Sequence, residues 1–348
     1  MIAIHGCTEE DLKKSLGEMG QPPFRAQQIF SWIFQKRATT WAAMTNLSSH
    51  LRTTLSQQFR LSSLKCVRSV RSDDETIKYL WELHDGALVE SVLIQAPERR
   101  TICVSSQVGC NAKCAFCASG KQGLIRNLSA AEIVEQFLLI DAELAKNGEK
   151  LSHVVFMGMG EPLDNYDEVV KAIRLITDPK GINLSQRRIT LSTVGVVEGI
   201  RKLMLEELKI NLALSLHAPN QQIRKKIIPY ARKYELSDVL AAISDYSRAT
   251  KRDITYEYTL ISGINDREED AIELAKLIKG QQCSVNLIPY NPVFGLRLKR
   301  PEKEEIERFE EILAEAKIPT TRRYTKGTKI AAACGQLALY EKNATVHK

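Results

Sequence analysis

The 348-residue sequence contains no uninterrupted apolar run approaching the ~18–20 residues that a membrane-spanning helix needs, which excludes a helical bilayer-crossing chain. Its start, MIAIHGCTEEDLKK, lacks a basic segment followed by an apolar stretch, so no export signal is expected and a cytoplasmic location is. No internal repeat or low-complexity tract is present, which excludes solenoids and disordered arrays. A further absence is local. Between Met19 and Arg71 there is no Asp or Glu, against eight basic residues (Arg25, Lys36, Arg37, Arg52, Arg60, Lys65, Arg68, Arg71), leaving the remainder one unit negative against a total of +7. A cationic excess confined to one window suits phosphate contact, and it makes Arg25, Lys36 and Arg37 expected nucleic-acid contacts. Other basic groups, Arg224-Lys-Lys226 among them, read as solvated helix faces or loops. With 44% hydrophobic and 26% charged residues, the chain has ample material for a folded core.

Residues 1–60 read as helices, with apolar positions at helical spacing in Phe24, Ile29, Phe30, Trp32 and Ile33 after Pro22 and Pro23. Over 61–98 the pattern alternates, and His84-Asp-Gly86 between two alternating runs signals a β-hairpin, read as a short linker region carrying Glu90. From 99 to 348, six strand-like runs alternate with helical ones, beginning at Ile102–Ser106 and His153–Met157. Serial β-α units imply a parallel sheet covered by helices, either open or curled into a partial barrel.

Eight cysteines are present, and three of them fall within eight residues as Cys110-Asn-Ala-Lys-Cys114-Ala-Phe-Cys117. The loop follows the first strand of the β-α region, where α/β proteins gather active sites. Structural zinc takes four ligands, typically two close pairs, and no second pair follows here. A [4Fe-4S] cluster held by three thiolates keeps one iron without a protein ligand, free to chelate an amine and a carboxylate.

C-x3-C-x2-C in this place resembles the radical S-adenosylmethionine superfamily. The segments Cys103-Val-Ser-Ser-Gln-Val-Gly-Cys110, Gly158-Met-Gly-Glu-Pro162, Ser215-Leu-His217, Asn286-Leu-Ile-Pro-Tyr-Asn-Pro292 and Ala333-Cys-Gly-Gln-Leu337, in this order, resemble the RlmN family of RNA methyltransferases. The resemblance implies an α/β fold: a partial (β/α)6 barrel with a small N-terminal helical RNA-binding domain and a β-hairpin linker. It implies methylation of carbon 2 of adenosine in 23S rRNA and tRNA, with two S-adenosylmethionine molecules consumed. Carbon 2 lies between two ring nitrogens, too electron-poor to attack a sulfonium methyl but open to a carbon radical. Cys110, Cys114 and Cys117 would hold the cluster. Gly160, Glu161, Ser192, Ser215, Leu216, His217 and Asn291 would contact S-adenosylmethionine. Cys334 would carry the methyl group, Glu90 would remove the carbon-2 proton, and Cys103 would release the sulfur through a transient disulfide.

Read without the resemblance, Cys103 is an inward-packed strand residue, Cys334 a thiol in a small-residue segment suited to a mobile loop, and His217 a core or loop histidine. Glu90, the sole charge in its apolar strand, is either on a solvent face or desolvated with a raised pKa that suits a general base. The competing functions are methylation at carbon 8, as in the related Cfr enzymes, activation of a protein partner by a radical, and noncatalytic RNA binding by an iron–sulfur protein, against which the Gly160-Glu161 cofactor site argues. A flavodoxin-type electron donor and a monomeric state are further expectations from the family.

Overall fold

The computed structural model describes residues 1–323 and 326–337. The chain begins with strand β1 (Ile2–Ala3) and helices α1 (Glu9–Glu18), α2 (Phe24–Phe34) and α3 (Ser49–Gln58). Thr8 and Asp11 satisfy each other's backbone N–H groups at the start of α1, at 2.9 and 3.1 Å. Along α2, Ala26, Ile29, Phe30, Ile33 and Phe34 form the buried stripe that its spacing predicts. Strand β2 (Phe59–Arg60) then pairs in parallel with β1.

Strands β3 (Leu64–Arg71), β4 (Ile77–Leu83) and β5 (Leu88–Ala96) follow, antiparallel, and β5 pairs antiparallel with β6 (Arg99–Cys103). The segment expected to be a hairpin linker is therefore a three-stranded extension of the main sheet, covering an edge of β6 that would otherwise expose unpaired backbone groups. A hairpin of β7 (Gln107–Gly109) and β8 (Leu124–Asn127) brackets the cysteine loop and the short α4 (Ala118–Gln122).

The β-α series continues through α5 (Ala130–Ala145), β9 (His153–Phe156), α6 (Tyr166–Thr177), β10 (Ile189–Thr193), α7 (Val197–Met204) and β11 (Asn211–Ser215). It ends with α8 (Gln221–Ile227), α9 (Leu236–Thr250), β12 (Ile254–Leu260), α10 (Glu268–Leu277), β13 (Cys283–Pro289), α11 (Lys303–Glu315) and β14 (Thr320–Arg322). Parallel pairing runs β6-β9-β10-β11-β12-β13-β14, and β14 and β3 stand at opposite edges of the ten-stranded sheet. The barrel is thus partial. No described helix is long and apolar enough to cross a membrane.

One contiguous core runs from Ile4 to Leu337, so the N-terminal helices share it with the barrel. Buried carboxylates of α5 fix that junction. Glu135 accepts from the N–H groups of Ser63 (2.8 Å) and Leu64 (3.3 Å) and faces His5. Asp141 accepts from Leu151 N–H at 2.7 Å and from Arg37 Nε at 2.6 Å. Arg37, expected to meet RNA, is therefore engaged in holding the helices to the barrel. Lys36 stays exposed with its ammonium 3.8 Å from the Trp32 ring centroid, and Arg25 donates to Gln28 and to Asn46 O. Replacing Arg37 with Gln leaves a buried carboxylate short of its cation and should cost ~1–3 kcal/mol in urea denaturation, whereas Lys36→Gln should cost under ~1 kcal/mol. Equal effects would contradict this division.

Candidate active site

Cys110 follows β7 directly, and Cys117 caps α4. The loop between them is held by backbone bonds: Cys110 N–H donates to Gly123 O (3.1 Å), Ala115 N–H to Ile227 O (2.8 Å) and Cys117 N–H to Cys114 O (3.1 Å). All three thiols line one cavity of about 140 Å³ at the C-terminal ends of the parallel strands. Burial pushes the Cys110 thiol up to about 12 and raises Cys114 and Cys117 as well, and the thiols raise one another. Three crowded soft donors in a desolvated pocket fit a cationic iron–sulfur centre, whose charge would reverse those shifts. Among the described residues no three His, Cys, Asp or Glu side chains converge on a single metal ion. A cube offers each thiolate a different iron, so its ligands need not converge.

Six of the seven residues expected to contact S-adenosylmethionine line this same cavity: Gly160, Glu161, Ser192, Ser215, His217 and Asn291. Gly160 has φ +111°, and a Cβ there would lie 2.8 Å from Gln107 N, so the turn after β9 admits only glycine. Glu161 is buried; its carboxylate accepts from Val194 N–H (2.8 Å) and Leu163 N–H (3.0 Å), while burial pushes it up to about 7. Ser192 and Ser215 share a hydrogen bond of 3.1 Å. Thr259 N–H donates to His217 Nδ1 at 2.9 Å, which fixes that nitrogen as an acceptor, and burial pushes the imidazole down to about 3. His217 is thus a neutral ring whose Nε2 carries the proton. Leu216 is fully buried and does not line the cavity; its carbonyl accepts from Arg224 Nε.

Cys334 reaches the cavity from the far end of the chain. Its small-residue segment is seated rather than free-standing. Ala118 N–H donates to Gly335 O (2.8 Å), Asn291 Nδ2 to Cys334 O (3.2 Å), Gln336 Nε2 to Pro292 O (2.8 Å), and Ser119 Oγ to Leu337 O. Cys103, at the end of β6, is buried and lines no described cavity; burial, then the nearby Cys334, pushes its thiol up to about 12. Both are free thiols. Glu90 is 3% exposed and forms an ion pair with Lys78 Nζ at 3.0 Å, and Lys78 also donates to Ala331 O (3.4 Å). The solvent-face reading of Glu90 is excluded, and an apolar strand was an incomplete description of its surroundings.

The sequence does not predict several residues found at this site. Arg323, just past β14, lines the cavity, and Cys334 is the largest cause raising its pKa, with Glu257 and Cys103 also contributing. Glu257 of β12 is buried, accepts from Asn286 Nδ2 at 2.8 Å and lies 3.9 Å from Arg323. Arg224, expected on a solvated face, is 1% exposed beneath the site. Its guanidinium donates to Leu216 O (3.2 Å), Val194 O (2.5 Å) and Ser215 O (3.3 Å), tying the ends of β10 and β11 together.

Residues 104–275 match the radical SAM superfamily, and residues 2–61 match the ribosomal RNA large subunit methyltransferase N-terminal domain. The chain is 62% identical over 93% of its length, and 90% of the relative's, to a "Probable dual-specificity RNA methyltransferase RlmN 2" of Protochlamydia amoebophila. It is 48% identical to a "Probable dual-specificity RNA methyltransferase RlmN" of Caldicellulosiruptor saccharolyticus, over 96% of both chains. The crystal structure of a radical SAM methyltransferase from Sphaerobacter thermophilus superposes with a TM-score of 0.95 at 43% identity, covering 97% of this chain and 99% of that one.

Arg224→Met would orphan three buried carbonyl groups at the cavity wall and should destabilise the protein by ~3 kcal/mol or more. Lys225→Met, next in sequence but paired among the described residues with exposed Glu235 at 2.8 Å, should cost under ~1 kcal/mol. Urea unfolding of both variants checks the contrast.

Proposed function

The chain belongs to the RlmN family of radical SAM RNA methyltransferases, and from that membership we propose that it methylates carbon 2 of adenosine in 23S rRNA and in tRNA. The observation that carries the reading is the meeting of Cys334 with Cys110, Cys114 and Cys117 in one cavity, although their segments are far apart in sequence. Those three thiolates would hold a [4Fe-4S] cluster, which together with S-adenosylmethionine would supply the one-electron and radical chemistry that an electron-poor carbon requires.

The chain's own residues bind, carry and release. Gly160, Glu161, Ser192, Ser215 and Asn291 shape the wall that receives S-adenosylmethionine, and neutral His217 offers its Nε2–H without adding charge. Leu216 acts through its backbone, as part of the Arg224-bonded wall. Cys334 Sγ accepts one methyl group; that group would give up a hydrogen atom to the radical derived from S-adenosylmethionine, and its carbon would join carbon 2 as a methylene bridge, with the surplus electron passing to the cluster. Arg323 lines the same cavity as Cys334, which places a guanidinium beside the sulfur that accepts the methyl group. Glu90, held by Lys78 in the interior, takes the proton from carbon 2. Cys103 then attacks the Cys334 sulfur. The bond from sulfur to that methylene carbon breaks, the carbon takes up the proton the Cys103 thiol gives up and becomes the methyl group of the base, and a Cys103–Cys334 disulfide remains for a thiol reductant to open.

The target base must leave its stack to reach so enclosed a site. The N-terminal helices, with the exposed cations of the 19–71 window, suit docking of the surrounding RNA. A flavodoxin-type donor fits the electron requirement. A reading as an activator of a protein partner has no use for Cys334, Cys103 or that N-terminal domain. Cys103→Ala should stall the reaction with RNA covalently joined to Cys334, visible as a slow band on denaturing gels, and wild-type product digested to nucleosides should contain 2-methyladenosine. Appearance of 8-methyladenosine instead would overturn the carbon assignment.

A further inference from the structure

A second cavity, of about 300 Å³, adjoins the first and shares Ile288, Asn291, Arg323 and Cys334 with it. Its remaining described lining is unlike the first. Arg99 and Lys326 join Arg323 as cations, and no Asp or Glu is among the described lining residues. The β5–β6 register explains how they assemble. Ala96 opposes Arg99 and Ile94 opposes Thr101, so alternate positions of both strands face one way, into this cavity. Arg99 is anchored there by its Nε bond to Thr101 Oγ1 at 2.9 Å, Lys326 by its bond to Gln95 O, and Arg323 by its backbone N–H to Leu287 O at 2.8 Å. The two guanidiniums crowd each other: burial, then Arg323, pulls Arg99 below its ordinary value.

Three anchored cations, of which only Arg323 has a carboxylate nearby (Glu257, 3.9 Å away and lining the first cavity), form a site that an anion would complete, and two of them carry the planar fork that takes a phosphate through paired hydrogen bonds. The remaining lining includes Ile94, Ala96, Val155 and Ile288, whose apolar surface suits a ribose or base face. We propose that this second cavity receives the target nucleotide, with a backbone phosphate flanking the adenosine held by Arg99, Arg323 and Lys326, and with the base directed toward Cys334 at the junction of the two cavities. The proposal rests on the reading that RNA is the substrate. It separates two cationic tasks: the N-terminal window attracts RNA broadly, and the cavity cations register one nucleotide against the reacting thiol.

The test pairs a change in the protein with a change in the RNA. Binding of a short single-stranded oligoribonucleotide with one adenosine is measured on the reconstituted holoenzyme, alongside the same strand with neutral methylphosphonates flanking that adenosine. With wild-type protein the neutral strand should bind about tenfold more weakly, the loss typical of a charge-assisted hydrogen bond. Arg99→Gln should bind the charged strand that much more weakly and show no further loss with the neutral one. Lys326→Gln, on a separate segment, should show the same coupling and serves if Arg99→Gln does not fold. Equal losses in wild type and both variants would overturn the proposal. So would an increased S-adenosylmethionine requirement for Cys334 methylation in Arg99→Gln with the RNA difference intact, because the anion would then be the carboxylate of S-adenosylmethionine. If wild-type Cys334 is never methylated while the coupling persists, the methyl-carrier reading falls and the phosphate site stands.

Discussion

The return of the last described segment across the open ends of the parallel strands is the constraint on which the site depends. Four hydrogen bonds, from Ala118 N–H, Ser119 Oγ, Asn291 Nδ2 and Gln336 Nε2, bind residues 334–337 to the cysteine loop and to the loop after β13. Three of these end on backbone carbonyls of the segment itself, at Cys334, Gly335 and Leu337, so the segment is held along its main chain. Without that seat, Cys334 would be one more thiol near a chain end. With it, Cys334 closes a cavity that three other thiols already line and stands where a second, cationic cavity begins.

The site also gathers buried charge, which a protein interior admits only when it is compensated. Arg224 spends its hydrogen bonds on three backbone carbonyls, Glu161 receives two backbone N–H groups, and Glu257 is answered by Asn286 and Arg323. Glu90 has Lys78. These arrangements make the wall around the cavity polar on one side and rigid, as positioning of reactive groups demands. The same accounting explains the junction with the N-terminal helices, where Glu135 and Asp141 of α5 hold residues that composition alone would have left to solvent.

How much of this was legible in the sequence follows from the range of the interactions involved. The helix-strand alternation, the turn at His84–Gly86 and the capping of α5 by Ser129 and Glu132 are local, and their residues show them. C-x3-C-x2-C is local too. The placement of Cys103 and Cys334 side by side is not, and only the ordered set of motifs pointed to it. Arg224 sits in a run of three basic residues that reads as a wet helix face, and nothing within that run marks the one that turns inward. Arg37 was masked in the same way by its window. Lys78 could have been found: the tight turn fixes the β4–β5 register, which sets Lys78 against Val92 and Leu80 against Glu90, placing cation and carboxylate on one face. The extension of the sheet through β3 and β4 was missed because alternation reveals a hairpin but not the edge it joins.

The central claim is that Cys334 carries the methyl group. Its most direct test is mass spectrometry of the Cys334 peptide after anaerobic cluster reconstitution and incubation with S-adenosylmethionine, with RNA left out. The account predicts the mass increment of one methyl group on Cys334 and on no other cysteine. An unmodified Cys334, or the same increment on Cys103, would contradict it.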